Sequence, residues 1–226
     1  MSNLMAAKLL RGVIIEFDFA VLDGHAFLLD VCRTRLAQEG VELDALLMAR
    51  SMGGRSFSSG LNALCSRQRK SVDVPTVMAE CNAAFAGKLS EALPQVPASF
   101  LAFVKAMLAK NVKVVVVTRL ESEAVLSALG NVQGEKLSVL YDIPNGFGFT
   151  TWEGWRRAVR KSDLHDRLCV AVAGSGHSVK GALNAGMCVV AKPNPVTEHQ
   201  DFSGSDVSIA EYSEELAGEI IRLLRF

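Results

Sequence analysis

The chain has 226 residues, half of them hydrophobic, and its 24 basic and 24 acidic side chains give a formal net charge of zero. This length suffices for one large domain, or for a domain with a small insert. The balanced charge argues against a nucleic-acid partner, because proteins that bind nucleic acid usually carry a basic patch or stripe. No apolar run reaches the roughly 18 residues that span a membrane, so we expect no membrane partner either.

Cysteine and histidine usage points to a reducing compartment. The five cysteines and four histidines are scattered, without C-x-x-C pairs or the spacing of metal ligands. A zinc site and a disulfide framework are therefore not expected. The N-terminal segment lacks the long apolar stretch and the small-residue cleavage site of a signal peptide. Together these features predict a cytoplasmic protein.

The first predicted element is the strand at residues 12–17, whose continuous Val and Ile are typical of a strand buried on both faces. Glu16 and Asp18 stand two residues apart at its end, a spacing that places both side chains on one face of a strand. Buried carboxylates are costly unless a metal, a proton or hydrogen bonds relieve them. The end of this strand is therefore a predicted functional site.

The next 70 or so residues predict only helices. The segments are residues 26–40, 43–52, 59–70 and 75–93. Pro75 suits the first turn of the last helix, and β-branched runs are nearly absent from the whole stretch. We therefore predict that residues 24–92 form an α-helical cap domain inserted after the first strand.

Helices and strands then alternate to the C-terminus. Helices are predicted at 98–111, 121–130, 151–164, 177–186 and 213–226, and strands at 112–118, 136–143, 167–175, 187–195 and 207–212. This alternation is typical of a parallel sheet covered by helices on both faces. The predicted fold class is α/β, with a Rossmann-like core domain built from residues 1–23 and 93–226.

Three strand ends carry the residues through which the chain resembles a known family. In such sheets ligands bind at the carboxyl ends of the strands, here Glu16 to Asp18, Thr118 with Arg119, and residues 173–176. With segments 11–25, 93–123 and 167–195, this layout resembles the haloacid dehalogenase (HAD)-like hydrolase superfamily. The nearest branch has a helical cap and includes β-phosphoglucomutase-like and phosphoglycolate phosphatase-like proteins. The resemblance implies a HAD core, phosphoric-ester hydrolysis and Mg²⁺.

The resemblance also implies roles for single residues, and the chain departs from several of them. The nucleophilic Asp of the family falls on Glu16, whereas its general acid/base is retained as Asp18 and its phosphoryl-binding threonine as Thr118. The expected lysine is missing from residues 146–155. The acidic pair that helps to hold Mg²⁺ falls on residues 173 and 174, which are Ala and Gly.

These departures predict impaired catalysis, because phosphoryl transfer depends on positioning and charge neutralisation. Glu16 is one methylene longer than Asp, and a misplacement of about 1 Å can cost about 10²-fold. A lost electrostatic donor costs roughly 10²–10³-fold, and Gly174 supplies no oxygen ligand for Mg²⁺. We therefore expect at most phosphate-ester binding or weak phosphatase activity, with Mg²⁺ in a weakened site held by Glu16 and Asp18.

Two alternatives stay open from the sequence. The chain could instead be an active Mg²⁺-dependent phosphatase or phosphomutase-like enzyme with a rearranged site. The expected partner is a small phosphorylated metabolite or an unknown protein. An ion beside Gly174 would favour the enzyme, and an aromatic side chain filling that space would favour the impaired protein. The aromatic residues Phe147, Phe149, Trp152 and Trp155 could plug the former pocket or line an altered one.

Four further residues are candidates for substrate binding: Arg55, Arg119, Ser175 and Lys180. Arg119 and Lys180 could replace the charge of the missing lysine, although Arg and Lys differ in reach and geometry. Ser175 lies in a strand–helix turn whose backbone N–H groups could hold an anion. The resemblance places Arg55 in the cap segment that approaches the ligand. A surface or capping role is the alternative for each of them.

Overall fold

The computed structural model describes residues 11–52, 55–130, 132, 135–141 and 151–224. Among these residues six strands form one sheet: β1 (Gly12–Glu16), β2 (Lys113–Thr118), β3 (Leu137–Tyr141), β4 (Cys169–Ala173), β5 (Cys188–Ala191) and β6 (Val207–Ser208). Their order is β3-β2-β1-β4-β5-β6 and every pair is parallel. The predicted α/β class is confirmed. The order reverses between β1 and β4, where doubly wound sheets form their ligand-binding crevice.

Ten α-helices are present in the described part of the chain. They are α1 (Phe17–Ala20), α2 (Gly24–Ala37), α3 (Ala45–Met52), α4 (Phe57–Arg67), α5 (Val74–Ala92), α6 (Ala98–Ala109), α7 (Ser122–Ala128), α8 (Trp152–Lys161), α9 (Gly176–Asn184) and α10 (Glu214–Leu223). Short 3₁₀ turns occupy Leu93–Gln95 and Asp166–Leu168. The helices α2 to α5 follow one another between β1 and β2, and they pack as the pairs α2 with α5 and α3 with α4. The helical cap is thus confirmed.

The register of the sheet brings the predicted site residues to one edge. Glu16 pairs with Val117, so Thr118 lies one residue beyond it on β2. On the other side Ile15 pairs with Val172, which leaves Ala173 level with Glu16. Three neighbouring strands therefore end within a residue of one another, and the segments that follow them converge at the crevice between β1 and β4.

Alternating side chains divide the core into two layers. Val13 and Ile15 contact a large hydrophobic cluster that continues into the cap, whereas Ile14 contacts a smaller one beneath α8 and α9. The C-terminal edge strand is shorter than predicted, since only Val207 and Ser208 pair with β5. No single helix in the described ranges is long and apolar enough to cross a membrane. The stretch Val74–Gln95 passes that test only together with α6, across a bend of 75°.

Candidate active site and the cap–core cleft

Glu16 ends β1, where its carboxylate is buried and joins that strand to the segment after β4. Its Oε1 accepts a hydrogen bond from the Ser178 hydroxyl at 2.6 Å, and its Oε2 accepts one from the backbone N–H of Gly174 at 3.2 Å. Ser178 lies in the first turn of α9, and its carbonyl oxygen accepts a hydrogen bond from Trp155 Nε1 at 3.1 Å. Both Glu16 oxygens therefore accept hydrogen bonds from the segment that joins β4 to α9, and Trp155 in turn donates a hydrogen bond to that segment.

Asp18 lies in α1 and joins β1 to the end of β2. Its Oδ1 accepts a hydrogen bond from the Thr118 hydroxyl at 2.5 Å, and its Oδ2 accepts one from the backbone N–H of Arg119 at 3.1 Å. The Arg119 Nε lies 3.4 Å from the same Oδ2. Burial raises the pKa of Asp18, and the Thr118 hydrogen bond and the Arg119 charge oppose that rise. This second carboxylate also has a donor at each oxygen.

The Arg119 side chain fills the space between Asp18 and the cap. It is only 7% exposed, and its Cζ lies 4.7 Å from the centroid of the Phe85 ring in α5. Phe19 stacks on the same ring, with centroids 5.8 Å apart. A guanidinium over an aromatic face is attracted by the ring quadrupole, more strongly when water is excluded. A layer of one cation and two phenyl rings therefore closes the cap onto the strand ends.

Gly174 stands where a side chain would not fit. A Cβ atom added there would lie 2.8 Å from the Phe19 carbonyl oxygen and 3.2 Å from His25 Cε1. The Gly174 carbonyl oxygen itself accepts a hydrogen bond from the Thr197 hydroxyl at 3.0 Å. The space beside Gly174 is thus occupied by a backbone carbonyl and an imidazole ring.

The hydrogen bonds of His25 define its tautomer. Its Nδ1 lies 3.2 Å from the side-chain Nδ2 of Asn194. The Asn194 Oδ1 accepts hydrogen bonds from the backbone N–H groups of Val196 and Thr197 at 2.9 and 3.1 Å, so the amide nitrogen faces the imidazole and Nδ1 is the acceptor. Burial lowers the pKa of His25 to about 3. The ring is therefore neutral near pH 7 and carries its proton on Nε2.

A cleft of about 60 Å³ opens between the cap and the start of α9. Its polar lining comprises His25, Arg55, Ser175, His177, Thr197 and Gln200, and its apolar lining includes Leu28, Met48, Met52 and Phe57. The carboxylates described above and Thr118 are not among the described residues that line it. The open cleft is therefore separate from the strand-end carboxylates.

The structure divides the predicted site residues into three places. Glu16, Asp18, Thr118 and Arg119 lie together at the strand ends. Arg55 and Ser175 line the cleft, and the Ser175 hydroxyl also caps α9 by accepting a hydrogen bond from the Ser178 N–H. Lys180 lies apart at the surface, half-exposed, with its Nζ 2.7 Å from a carboxylate oxygen of Asp201.

Comparison with known proteins identifies the fold. No protein-family profile and no curated protein sequence matches the chain. Among solved structures, a β-phosphoglucomutase from Clostridium difficile matches with a TM-score of 0.71 and 14% identity, over 95% of this chain and 96% of that one. A predicted phosphoglycolate phosphatase from Haemophilus somnus matches with a TM-score of 0.62 and 14% identity, over 93% and 98%. The chain has the capped HAD fold.

A third HAD-fold neighbour was crystallised with ligands. It is a HAD family hydrolase from Deinococcus radiodurans with bound phosphate and sodium, and it matches with a TM-score of 0.59 and 18% identity, over 95% of this chain and 96% of that one. At these identities the likeness concerns the fold. It confirms the resemblance that the strand-end motifs and the helical insert predicted.

The residues of this chain do not fit the Mg²⁺ site that the HAD resemblance implies. Mg²⁺ requires near-octahedral oxygen ligands, and each oxygen of Glu16 and Asp18 already uses one of its lone pairs for a hydrogen bond from the protein. Gly174 offers no side-chain oxygen, and its surroundings leave no room for one. Within the described ranges, no three His, Cys, Asp or Glu residues are grouped as metal ligands would be.

The predicted aromatic plug is not formed by the two tryptophans. Trp155 is fully buried beneath α9, where it holds the Ser178 carbonyl, and Trp152 is 43% exposed with Arg156 over its ring. Neither lines the cleft. The predictions for Phe147 and Phe149 lie outside the described residues. The rings that do close the strand ends are Phe19 and Phe85, together with the imidazole of His25.

Sequence reasoning missed Ser178, His25 and Phe85. Ser178 gives no signal beyond its place in a helical first turn, since a hydroxyl there suits capping or solvent equally well. Phe85 belongs to the apolar face of α5 and is typical of a core residue. His25 follows the strand-end motif closely enough to be found, but its isolation from other histidines suggested no ligand role.

Proposed function

We propose that this chain is a catalytically impaired HAD-fold protein that retains at most phosphate-ester binding or weak phosphatase activity. The observation that carries the proposal is the state of the two carboxylates. The carboxylate at the nucleophile position is held by Ser178 and Gly174, and the one at the general acid/base position is held by Thr118 and Arg119. Both act as internal hydrogen-bond acceptors rather than as groups presented to a substrate.

The charge distribution supports the same proposal. Phosphoryl transfer needs positive charge beside the transferring group, and the cation nearest to Asp18 is the Arg119 side chain, which pairs with that carboxylate and stacks on Phe85. Lys180 is paired with Asp201 at the surface. Both cations are therefore paired with carboxylates of the protein. A cytoplasmic location and a small phosphorylated metabolite or an unknown protein as partner belong to this proposal as well.

The test is phosphate release from a panel of small phosphate monoesters, measured with and without Mg²⁺. Wild-type protein is compared with Glu16→Gln and Asp18→Asn, which preserve side-chain size. We expect no Mg²⁺-dependent release by the wild type above the level of the two variants. Mg²⁺-dependent release at the rate of an ordinary enzyme, about 1 s⁻¹ or faster, that disappears in both variants while their unfolding midpoints remain near that of the wild type would contradict the proposal and establish a rebuilt active site.

A further inference from the structure

The helical cap contains two cysteines whose side chains contact each other. Cys32 lies in α2 and Cys81 in α5, and these two helices pack against each other. Both side chains are buried in the larger hydrophobic cluster, and the Cys32 thiol donates a hydrogen bond to the Cys81 sulfur. Such contact is the geometric precondition for a disulfide, whose sulfur atoms must approach to about 2 Å.

The neighbouring residues show that the two helix faces meet at this point. Arg35 follows Cys32 by three positions, so it lies on the same face of α2 one turn later. Its Nε donates a hydrogen bond to a carboxylate oxygen of Glu80, which directly precedes Cys81 in α5. Packed helices therefore hold the two cysteines together.

The two thiols differ in their surroundings, and this difference assigns them different roles. Cys81 is among the residues that line a groove between α2 and α5, whereas Cys32 is not among the described lining residues. The hydrogen bond from Cys32 lowers the pKa of Cys81, an effect that burial opposes and the Arg35 charge reinforces. The same hydrogen bond and burial raise the pKa of Cys32. Because the thiolate is the nucleophile, Cys81 is the thiol that reacts first.

Access to the Cys81 sulfur depends on the ion pair that joins the two helices. Arg35 and Glu80 both line the groove, and their side chains are 19% and 52% exposed. Exposed ion pairs hold their partners weakly, so this pair opens readily. The groove, with a volume of about 590 Å³, then gives a molecule as small as hydrogen peroxide a path to the sulfur.

We propose that Cys32 and Cys81 form a redox pair, which hydrogen peroxide converts into a disulfide between α2 and α5. The Cys81 sulfur attacks one peroxide oxygen, so that an S–O bond forms, the O–O bond breaks, and the leaving hydroxide takes up the thiol proton as water. The Cys32 sulfur then attacks the sulfur of the Cys81 sulfenic acid. The S–S bond forms, the S–O bond breaks, and the leaving hydroxide takes up the Cys32 proton. Two thiols and one peroxide thus give one disulfide and two water molecules.

The experiment treats the reduced full-length protein with an excess of hydrogen peroxide, blocks the remaining thiols and maps disulfides by peptide mass spectrometry. We expect the Cys32–Cys81 bridge in at least about tenfold higher yield than any other cysteine pair, and we expect dithiothreitol to reverse it. Cys169 and Cys188 lie on neighbouring strands but pack into different core layers, so they should not pair. The bridge joins positions that are 49 residues apart and should raise the melting temperature by about 4–16 °C.

Variants separate the roles of the two thiols. Cys32→Ala should abolish the bridge and leave a sulfenic acid on Cys81, which dimedone traps. Cys81→Ala should leave Cys32 unoxidised, because Cys32 does not line the groove. Cys65→Ala, at a buried cysteine of α4, is the matched control and should form the bridge like the wild type.

The wild-type disulfide map decides the inference even where a variant fails to fold. Absence of the Cys32–Cys81 bridge, its formation only in urea, a melting temperature that does not rise, or a sulfenic acid on Cys32 in place of Cys81 would each overturn the inference. The outcome is independent of the proposed function, because neither cysteine is among the residues that hold the strand-end carboxylates. In the reducing compartment that belongs to that proposal, the bridge would be transient, as in redox sensors.

Discussion

Replacing Glu16 by Asp, the residue that the family has at the nucleophile position, should destabilise this protein more than replacing it by Gln, which removes the charge. Glu16→Asp conserves the charge but withdraws the carboxylate by about 1.5 Å, the length of one C–C bond. The hydrogen bonds to Ser178 and Gly174, now 2.6 and 3.2 Å long, would both lie beyond bonding distance. Glu16→Gln keeps the length, so its amide oxygen can accept from Gly174 N–H while its amide N–H donates to the Ser178 oxygen.

The structure sets the magnitude of the difference. Each buried group left unsatisfied costs about 1–3 kcal/mol, and Glu16→Asp leaves a charged carboxylate and two donors without their partners. We expect Glu16→Asp to lower the free energy of unfolding by about 3 kcal/mol or more, and Glu16→Gln by about 1 kcal/mol. In a chain of this size 3 kcal/mol corresponds to about 6–12 °C in melting temperature.

The assay is urea unfolding of the wild type and both variants, together with Glu91→Asp as an exposed control in α5. A Ser178→Ala background provides a further check. With one of the two hydrogen bonds already absent, the added cost of Glu16→Asp should shrink by about 1.5–3 kcal/mol. The reasoning would be refuted if Glu16→Asp were as stable as Glu16→Gln, or if it gained Mg²⁺-dependent phosphate release.

Two further predictions concern the residues around Gly174. The contribution of His25 to the free energy of unfolding should fall by about 1.4 kcal/mol per pH unit between about pH 6.5 and pH 3, because the unfolded chain protonates His25 there while the folded chain, with the His25 pKa lowered to about 3, does not. His25→Gln should lose this slope, and parallel pH profiles would contradict the assignment. Gly174→Ala should cost about 1–3 kcal/mol in urea unfolding by overpacking against Phe19. The matched Gly87→Ala, in open space on α5, should gain about 0.5–1 kcal/mol, and equal effects would be inconsistent with the crowding at Gly174.

The fold could be predicted from the sequence because its signals are local and repeated. The apolar runs that became β1, β2 and β4 are buried on both faces, as their continuous Val and Ile indicate. Parallel strands then place their carboxyl ends together, so the sequence alone assigns Glu16, Asp18 and Thr118 to one edge of the sheet. The C-terminal strand is shorter than predicted because the alternation of Val207, Ser208 and Ile209 is typical of a strand, whereas residue pairing with β5 ends at Ser208.

The contacts of the site could not be predicted, because they depend on side chains far apart in sequence. The bond from Ser178 to Glu16 crosses 162 positions, and neither residue has a local pattern that requires the other. The same holds for Arg119 over Phe85, which joins the core to the cap. The sequence suggests Arg119 as a substitute cation for a substrate, whereas in the structure its side chain pairs with Asp18. The sequence thus indicates which chemical groups are present, but not which of them form hydrogen bonds or ion pairs with one another.

The residues by which this chain departs from the family pattern contact one another or shared neighbours at the strand ends. The longer side chain of Glu16 reaches donors in the turn before α9, where Ser178 supplies a hydroxyl. The missing side chain at Gly174 makes room for the Phe19 carbonyl and for His25. Arg119 then pairs with Asp18 beneath Phe85, so the charge of that carboxylate is balanced within the protein. Restoring one family residue alone would break contacts in this arrangement without supplying the other oxygen ligands of a Mg²⁺ site, so under the proposed function we expect no gain of activity from a single change.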